Sequence, residues 1–342
     1  MNTNTNTNTI KGVGSKFKTV TFFATKYVEN LVHSLSHLLN TELGIETRRI
    51  VIGKQVDVND VRVNESRPDE LMFILIPHLL VTNVATLPPA GKYALYQLEQ
   101  LNDKGVGNVQ PPISFNALFC RLILQSLVTF EYTHVNLKHY PEACRHKLRV
   151  LTPPILPMSR TDPLLLAANK PKPKDIDVLF YGTANSRRNI ILGILKEQLQ
   201  SHGYNMTVVS ALFGAELLDH IARSKVVLNV HYYANSIFES DRVHTALRFP
   251  DVRIVSERAT EQDDSTDHLY ATHPRVFLCD EIRDYNSCDP ELKSVVTGKL
   301  LAACLTALES FTQDQAKKKE HESEDDDDNQ KINELSKNQI IV

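Results

Sequence analysis

The 342-residue sequence reads as α/β, with two doubly wound parallel-sheet domains facing each other across a cleft. Three observations predict this. Strand-like and helix-like segments alternate in two successive series, one before residue 157 and one after residue 175. Between them "PMSRTDPLLLAANKPKPKD" (157–175) carries four prolines and breaks all periodicity, as a linker does. "ELMFILIP" (70–77) is an unbroken apolar run closed by proline, the pattern of a strand buried on both faces of a parallel sheet.

Each element follows from local pattern. "KTVTFFA" (18–24) is a strand, and 26–43 a helix with Leu31, Leu35, Leu38 and Leu39 on one face. "TRRIVIG" (47–53), "ELMFILIP" and "KYALYQLEQL" (92–101) are further strands. "FNALFCRLILQSLVTFEY" (115–132) holds a helix and then a short strand near its end, and "KLRVLTPPIL" (147–156) is a strand stopped by a double proline. After the linker come the strand "DVLFYG" (177–182), a helix over 186–202, the strand "YNMTVVSA" (204–211) and the helix "GAELLDHIARS" (214–224). They are followed by the strand "KVVLNVHYY" (225–233), a helix over 238–248 and the strand "VRIVSE" (252–257). "RVFLCD" (275–280) is the last strand, and 290–311 a closing helix. The expected organisation is a disordered tail (1–16), a first domain (17–156), the linker (157–175), a second domain (176–313) and a disordered charged tail (314–342).

Both tails lack apolar residues to bury: one is an Asn-Thr repeat, the other "DQAKKKEHESEDDDDNQKINELSK". The formal net charge is -3, but the stretch 314–342 holds nine acids and five lysines, leaving 32 acids against 33 bases in the body. A body without a basic field argues against nucleic acid as a partner. The first residues form no secretion signal and no run of about 18 apolar residues exists, so no transmembrane segment is expected. Five scattered cysteines without a CxxC pair suggest reduced thiols in a cytoplasmic protein, with a position peripheral to a membrane left open.

Ligands of open parallel sheets bind beyond the carboxyl ends of the strands. In the second half those positions are Gly182, Thr183 and Asn185, then His231 to Tyr233, then Ser256 and Glu257. Glu239 and Arg242 lie one helical turn apart in "IFESDRVHTAL". Gly182 would let a ligand approach the backbone, the turn would supply N–H groups at a helix start, and Arg187 and Arg188 would add charge suited to phosphate oxygens. The same two arginines would also serve as solvated residues on a first helical turn. Neither GxxxxGK[ST] nor GxGxxG is present, which disfavours an NAD-type enzyme.

In order, "DVLFYGTANSRR", "FGAELLDHIARSKVVLNVHYY" and "FESDRVHTALRFPDVRIVSE" resemble the C-terminal half of GT-B-fold glycosyltransferases. The group they resemble most is the spore-maturation-type glycosyltransferases of bacteria and large viruses. "YALYQLEQL" and "FEYTHVNLKHY" are similar more loosely to its N-terminal half. The resemblance implies two Rossmann-like domains, a nucleotide-sugar donor such as a UDP- or GDP-sugar on the second, and a glycan, lipid or protein acceptor facing the first. It implies a closing helix that crosses back to the first domain. It also implies no metal and no cofactor beyond the nucleotide-sugar, and no DxD lies between a strand and a turn to hold one. The donor set is then Gly182, Thr183, Arg187, Arg188, His231, Tyr232, Glu239 and Arg242. Where this fold often carries a ribose-binding glutamate, the chain has Thr245, so Thr245 or Glu257 would substitute, or the protein is a non-catalytic nucleotide-binding scaffold. For a general base the candidate is His78, just past "LMFILIP", with capping or packing beside Pro77 as the alternative. His33 and His37, four apart on a helix, lack a third ligand for zinc.

Overall fold

The computed structural model describes residues 17–52, 68–77, 89–102, 105–106, 115–151, 153, 172–233, 236–259, 270–280, 282 and 297–318. His78, the Asn-Thr repeat, most of the expected linker and residues beyond 318 lie outside them.

The first sheet is built from β1 (Thr19–Thr25), β2 (Glu46–Ile52), β3 (Glu70–Leu75), β4 (Tyr93–Gln97), β7 (Thr129–Glu131) and β8 (Leu148–Val150). A two-stranded antiparallel pair, β5 (Leu101–Asn102) with β6 (Gly105–Val106), stands apart. The six strands lie in the order β2-β1-β3-β4-β7-β8, all parallel. Every residue of β1 is buried, as a central strand covered on both faces requires. A 3-10 turn over Lys26–Val28 precedes helix α1 (Glu29–Leu43), which stops at Gly44. The left-handed φ of 63° there lets the Gly44 N–H cap the Leu39 carbonyl, a geometry glycine adopts without a Cβ penalty. Leu31, Leu35 and Leu39 pack inward at a spacing of four, whereas Leu38 is 38% exposed rather than part of that face. Helices α2 (Phe115–Gln125) and α3 (Glu142–Arg145) cover the opposite face, in a cluster with Tyr93, Leu95, Leu122 and Ile123.

The second sheet has β9 (Ile176–Tyr181), β10 (Met206–Val209), β11 (Ser224–Asn229), β12 (Arg253–Glu257) and β13 (Val276–Cys279), parallel in the order β10-β9-β11-β12-β13. Helices α5 (Gly214–Arg223) and α6 (Ser240–Leu247) pack on one face with Leu179, Val227 and Ile254. On the other face α4 (Ser186–Ser201) and α7 (297–318) pack with Val178, Phe180, Leu228 and Val255. Each of those four side chains is at most 1% exposed, worth about 1.5–3 kcal/mol apiece against the unfolded chain. This is the two-sheet, parallel α/β architecture expected of a GT-B chain, with each domain wound in both directions from its first strand.

Two expectations need correction. The described part of the closing helix packs on the second domain and not on the first: Leu300, Cys304, Ala307 and Leu308 join the core of the second sheet. It also runs on to residue 318, past the tail boundary expected from composition, and Asp314 on its last turns pairs with Arg253. The thiols are not all reduced, since Cys120 on α2 and Cys144 on α3 are joined by a disulfide with their Cα atoms 5.5 Å apart. Their separation of 24 residues has no motif spacing, so only the packing of α2 on α3 could reveal the pair. Cys279 and Cys304 are buried and free. Among the described residues no helix is long and apolar enough to cross a membrane.

Specific contacts join the domains among the described residues. Ile237 of the second domain sits in the core cluster of Phe22, Tyr96 and Tyr132, and its N–H donates to Gln100 Oε1 at 3.1 Å. Tyr27 and Phe213 stack edge to face, 5.5 Å between centroids. These contacts bring the carboxyl end of β4 opposite the carboxyl ends of β9 and β11.

Candidate functional site at the strand ends

The winding of the second sheet reverses between β9 and β11, and the crevice of such a sheet opens at that point. Gly182 follows β9 there with a φ of 145°. A Cβ on Gly182 would lie 2.8 Å from Arg242 Nη2 and 3.3 Å from Arg188 Nη1. The sequence expects Gly182 to admit a ligand. In the structure the close approach is made by two guanidinium groups, with Arg242 foremost. Gly182 and Arg242, 60 positions apart in sequence, are thus brought into direct contact.

The three arginines differ sharply in what they have left to donate. Arg187 is buried at 2% exposure beneath the crevice. Its Nη1 and Nη2 bind the two oxygens of Glu257 at 3.0 and 2.6 Å, and the same nitrogens bind the carbonyls of His231 (2.6 Å) and Ile282 (2.9 Å). Glu257, with no exposed surface, also accepts the backbone N–H groups of His231 and Ile282 at 2.6 and 2.9 Å. This bidentate pair is a core fixture, so neither the expected phosphate contact of Arg187 nor the expected ribose contact of Glu257 is available. The hydrogen bonds of Arg187 Nη1 and Nη2 and of both Glu257 oxygens explain how two charges stay buried together.

Arg188 is also buried, at 1% exposure, and fully engaged. Its Nε reaches the Val230 carbonyl at 3.0 Å, Nη1 the Thr183 carbonyl at 2.8 Å, and Nη2 both oxygens of Glu239 at 2.9 and 3.2 Å. Its guanidinium lies between the rings of Phe180 (5.3 Å) and Tyr232 (5.1 Å). Desolvation pulls its pKa down to about 10, partly offset by Glu239, so it stays charged near neutrality. Arg188 therefore holds the rim in shape instead of reaching out to a ligand.

Arg242 is the exception. Its side chain is 15% exposed, and only Nη1 is committed, to Asn229 Oδ1 at 2.6 Å and to Glu239. Nη2 and Nε face no hydrogen-bond acceptor among the described residues. Glu239, 25% exposed at the start of α6, is shared by Arg242 and Arg188. Burial alone would raise its pKa, but Arg242 and then Arg188 outweigh burial and hold it at about 2. It is thus an anion throughout the physiological range, available to accept a hydrogen bond from a hydroxyl.

The remaining expected residues fall mostly outside the crevice. His231 has no exposed surface; its ring meets Phe238 edge to face and its Nε2 lies 3.3 Å from the Arg258 carbonyl, so it packs rather than touching phosphate or sugar. Thr245 is buried and its hydroxyl donates to the Asp241 carbonyl one turn back at 2.9 Å, so it offers no donor to a ribose. Tyr232 is half-buried, its ring on Arg188 and its N–H 3.3 Å from Glu239 Oε1. Thr183 is exposed at the mouth of the turn, and Asn185 caps α4 by accepting the Arg188 N–H at 2.8 Å. His78 lies outside the described residues.

Sequence reasoning missed the facing rim. Glu99 follows β4 by two residues and is half-buried, in electrostatic reach of Glu239, Arg242 and Arg188. Desolvation, with the negative charge of Glu239 second, lifts its pKa to about 7 against the opposing pull of the two arginines. Behind it, Glu131 is wholly buried at the end of β7, accepting from Tyr140 Oη (2.5 Å), Asn136 Nδ2 (2.9 Å) and the Thr133 N–H (3.4 Å). Burial raises Glu131 to about 8, although those donors oppose the shift. The signal was present: the strand-end rule that picked out Gly182 and His231 applies equally to the residues after β4.

No family model and no curated protein matches the chain. Among solved structures, Anabaena HepE in complex with UDP and glucose is similar at 10% identity, covering 89% of this chain and 100% of its own, with a TM-score of 0.44. The UDP-GlcNAc 2-epimerase of Methanocaldococcus jannaschii is similar at 9% identity over 83% of this chain and 92% of its own, TM-score 0.37. Acinetobacter baumannii MurG follows at 10% identity over 85% and 95%, TM-score 0.34.

Proposed function

We propose that the crevice at the β9–β11 switch point binds a nucleotide-diphosphate sugar and that the protein transfers its glycosyl group to a hydroxyl acceptor lying against the first domain. The observation that carries this reading is Arg242. It is the partly exposed member of the arginine trio, with only Nη1 committed among the described residues, and it lies on the glycine turn where a parallel sheet receives its ligand. Two uncommitted nitrogens, Nη2 and Nε, in a half-dry crevice suit the paired oxygens of a diphosphate. As the bond to the sugar breaks, charge grows on the departing diphosphate, and a fixed guanidinium stabilises it without a divalent ion. Glu239, held ionised beside Arg242, would accept hydrogen bonds from sugar hydroxyls.

A second reading is a nucleotide-binding scaffold without turnover. It is favoured by one observation: Thr245 and Glu257, which would hold the ribose, are both committed elsewhere. Thermal shift and nucleotide release, measured with UDP, GDP, UDP-glucose and GDP-mannose, separate the two. Transfer predicts stabilisation together with slow donor hydrolysis; a scaffold predicts stabilisation alone. Arg242→Ala should weaken nucleotide binding about 10- to 100-fold, the worth of charge-assisted hydrogen bonds. Unchanged affinity in that variant would remove Arg242 from the site and the reading with it.

A further inference from the structure

We propose that Glu99 is the catalytic base of the cleft, a role that rests on the transfer reading above. Its position carries the argument. The Glu99 carbonyl is pinned from two sides, by Gln97 Nε2 at 3.2 Å and Asn136 Nδ2 at 2.9 Å, and Asn136 Oδ1 also holds the Leu101 N–H at 2.9 Å. Gln100, the next residue, carries the hydrogen bond to Ile237 that docks one domain on the other. The backbone that presents Glu99 is therefore fixed relative to the second domain.

The side chain is the opposite: among the described residues none donates a hydrogen bond to its carboxylate, and none pairs with it. A half-buried carboxylate without a donor among the described residues carries a desolvation cost that the pull of Arg242 and Arg188 only partly offsets, a net loss unless it serves a bound molecule. The groups around it are Tyr132 from its own domain, with Glu131 beside that phenol, and Arg188, Glu239 and Arg242 from the other. Tyr132 is buried and its phenol is pushed well above its ordinary range by desolvation and by Glu131, Glu99 and Glu239, so it stays neutral. Glu131 is sealed and engaged by three donors, so it cannot reach a substrate. Glu239 holds no proton affinity near neutrality. Of these carboxylates, Glu99 alone combines access with a pKa near neutrality, at about 7, the value that suits a general base.

In the step, the acceptor O–H bond breaks and its proton goes to a Glu99 oxygen. The acceptor oxygen bonds to the anomeric carbon. The bond from that carbon to the diphosphate oxygen breaks, and its electron pair leaves on the nucleoside diphosphate opposite Arg242. Water serves as the acceptor when no sugar or lipid hydroxyl is present.

The test uses the full chain with UDP-glucose and GDP-mannose, following nucleotide release, and titration calorimetry with UDP and GDP. Glu99→Gln should slow release by about 100-fold or more while nucleotide Kd moves less than about threefold, the split expected of a group acting on the reacting atoms. The wild-type rate should rise with pH through about 7 and that rise should vanish in the variant. Glu99→Asp should retain part of the rate. Release unchanged in Glu99→Gln, or rate and affinity lost together, overturns the role of Glu99 and leaves nucleotide binding standing. A wild-type protein that binds nucleotide without releasing it from a donor overturns Glu99 as well. A wild-type protein that binds neither UDP nor GDP overturns the transfer reading and this role together.

Discussion

The two strand-end rims facing each other are built from the same residue type and treat it in opposite ways. On the second domain, Glu239 is held at about 2; on the first, Glu99 and Glu131 are raised to about 7 and about 8. Burial acts in the same direction on all three. The difference is what bonds to them among the described residues: two guanidinium groups at Glu239, only neutral donors at Glu131, and no donor at Glu99, where the same two arginines act without a hydrogen bond or ion pair. Burial raises all three carboxylates, and directly bound cations decide which of them is brought back down.

That contrast can be broken at its most buried point. Glu257→Ala strands Arg187 as an uncompensated charge beneath the rim and should destabilise the protein by about 3–5 kcal/mol, read by urea denaturation. A loss under about 1 kcal/mol would mean that the pair is not the core fixture described.

The next test uses pH. Folded Glu131 keeps its proton up to about 8, whereas its ordinary value is 4.5, so between these values the folded chain binds more protons than the unfolded one. Its contribution is full below 4.5 and is lost as pH rises through about 8. Glu239 runs the other way: its contribution is present above 4.5 and is lost as pH falls toward about 2. Glu131→Gln should therefore remove a stability decline on the order of a few kcal/mol between about pH 5 and about pH 8. An identical decline in the variant would place its cause elsewhere.

The smallest expected effect is at Gly182→Ala. A φ of 145° and a Cβ 2.8 Å from Arg242 Nη2 force the guanidinium aside. The cost to stability should be about 1–3 kcal/mol. UDP affinity should fall more than that stability loss would suggest, because the displaced group is the proposed diphosphate ligand. Stability lost with UDP affinity intact would separate the glycine turn from binding.

Much of the fold was legible in the sequence. The two alternating series and the buried strands at 70–75 and 176–181 come from periodicity and composition, which are local properties. The site was only half legible. Gly182, Arg242 and Glu239 do converge, because strand ends in a parallel sheet share one edge. Arg187 and Glu257 were misassigned because two residues separated by 70 positions had to be seen pairing before either could be recognised as internal. Arg188 looked equally suited to phosphate, and only its four acceptors show that each of its three side-chain nitrogens is already engaged. Glu99 was hidden inside a stretch read as continuous strand; the ladder ends at Gln97, which turns Glu99 from a strand residue into a rim residue. The Cys120–Cys144 bridge likewise depended on how two helices pack.

By itself the sequence determined the architecture and the address of the site: apolar periodicity sets which segments become strands, and parallel winding sets which end of each strand faces a ligand. Only the tertiary structure decided which charges at that address are already neutralised by partners distant in sequence. Coulombic pairing and desolvation depend on separations of a few ångströms, and chain position does not encode those separations.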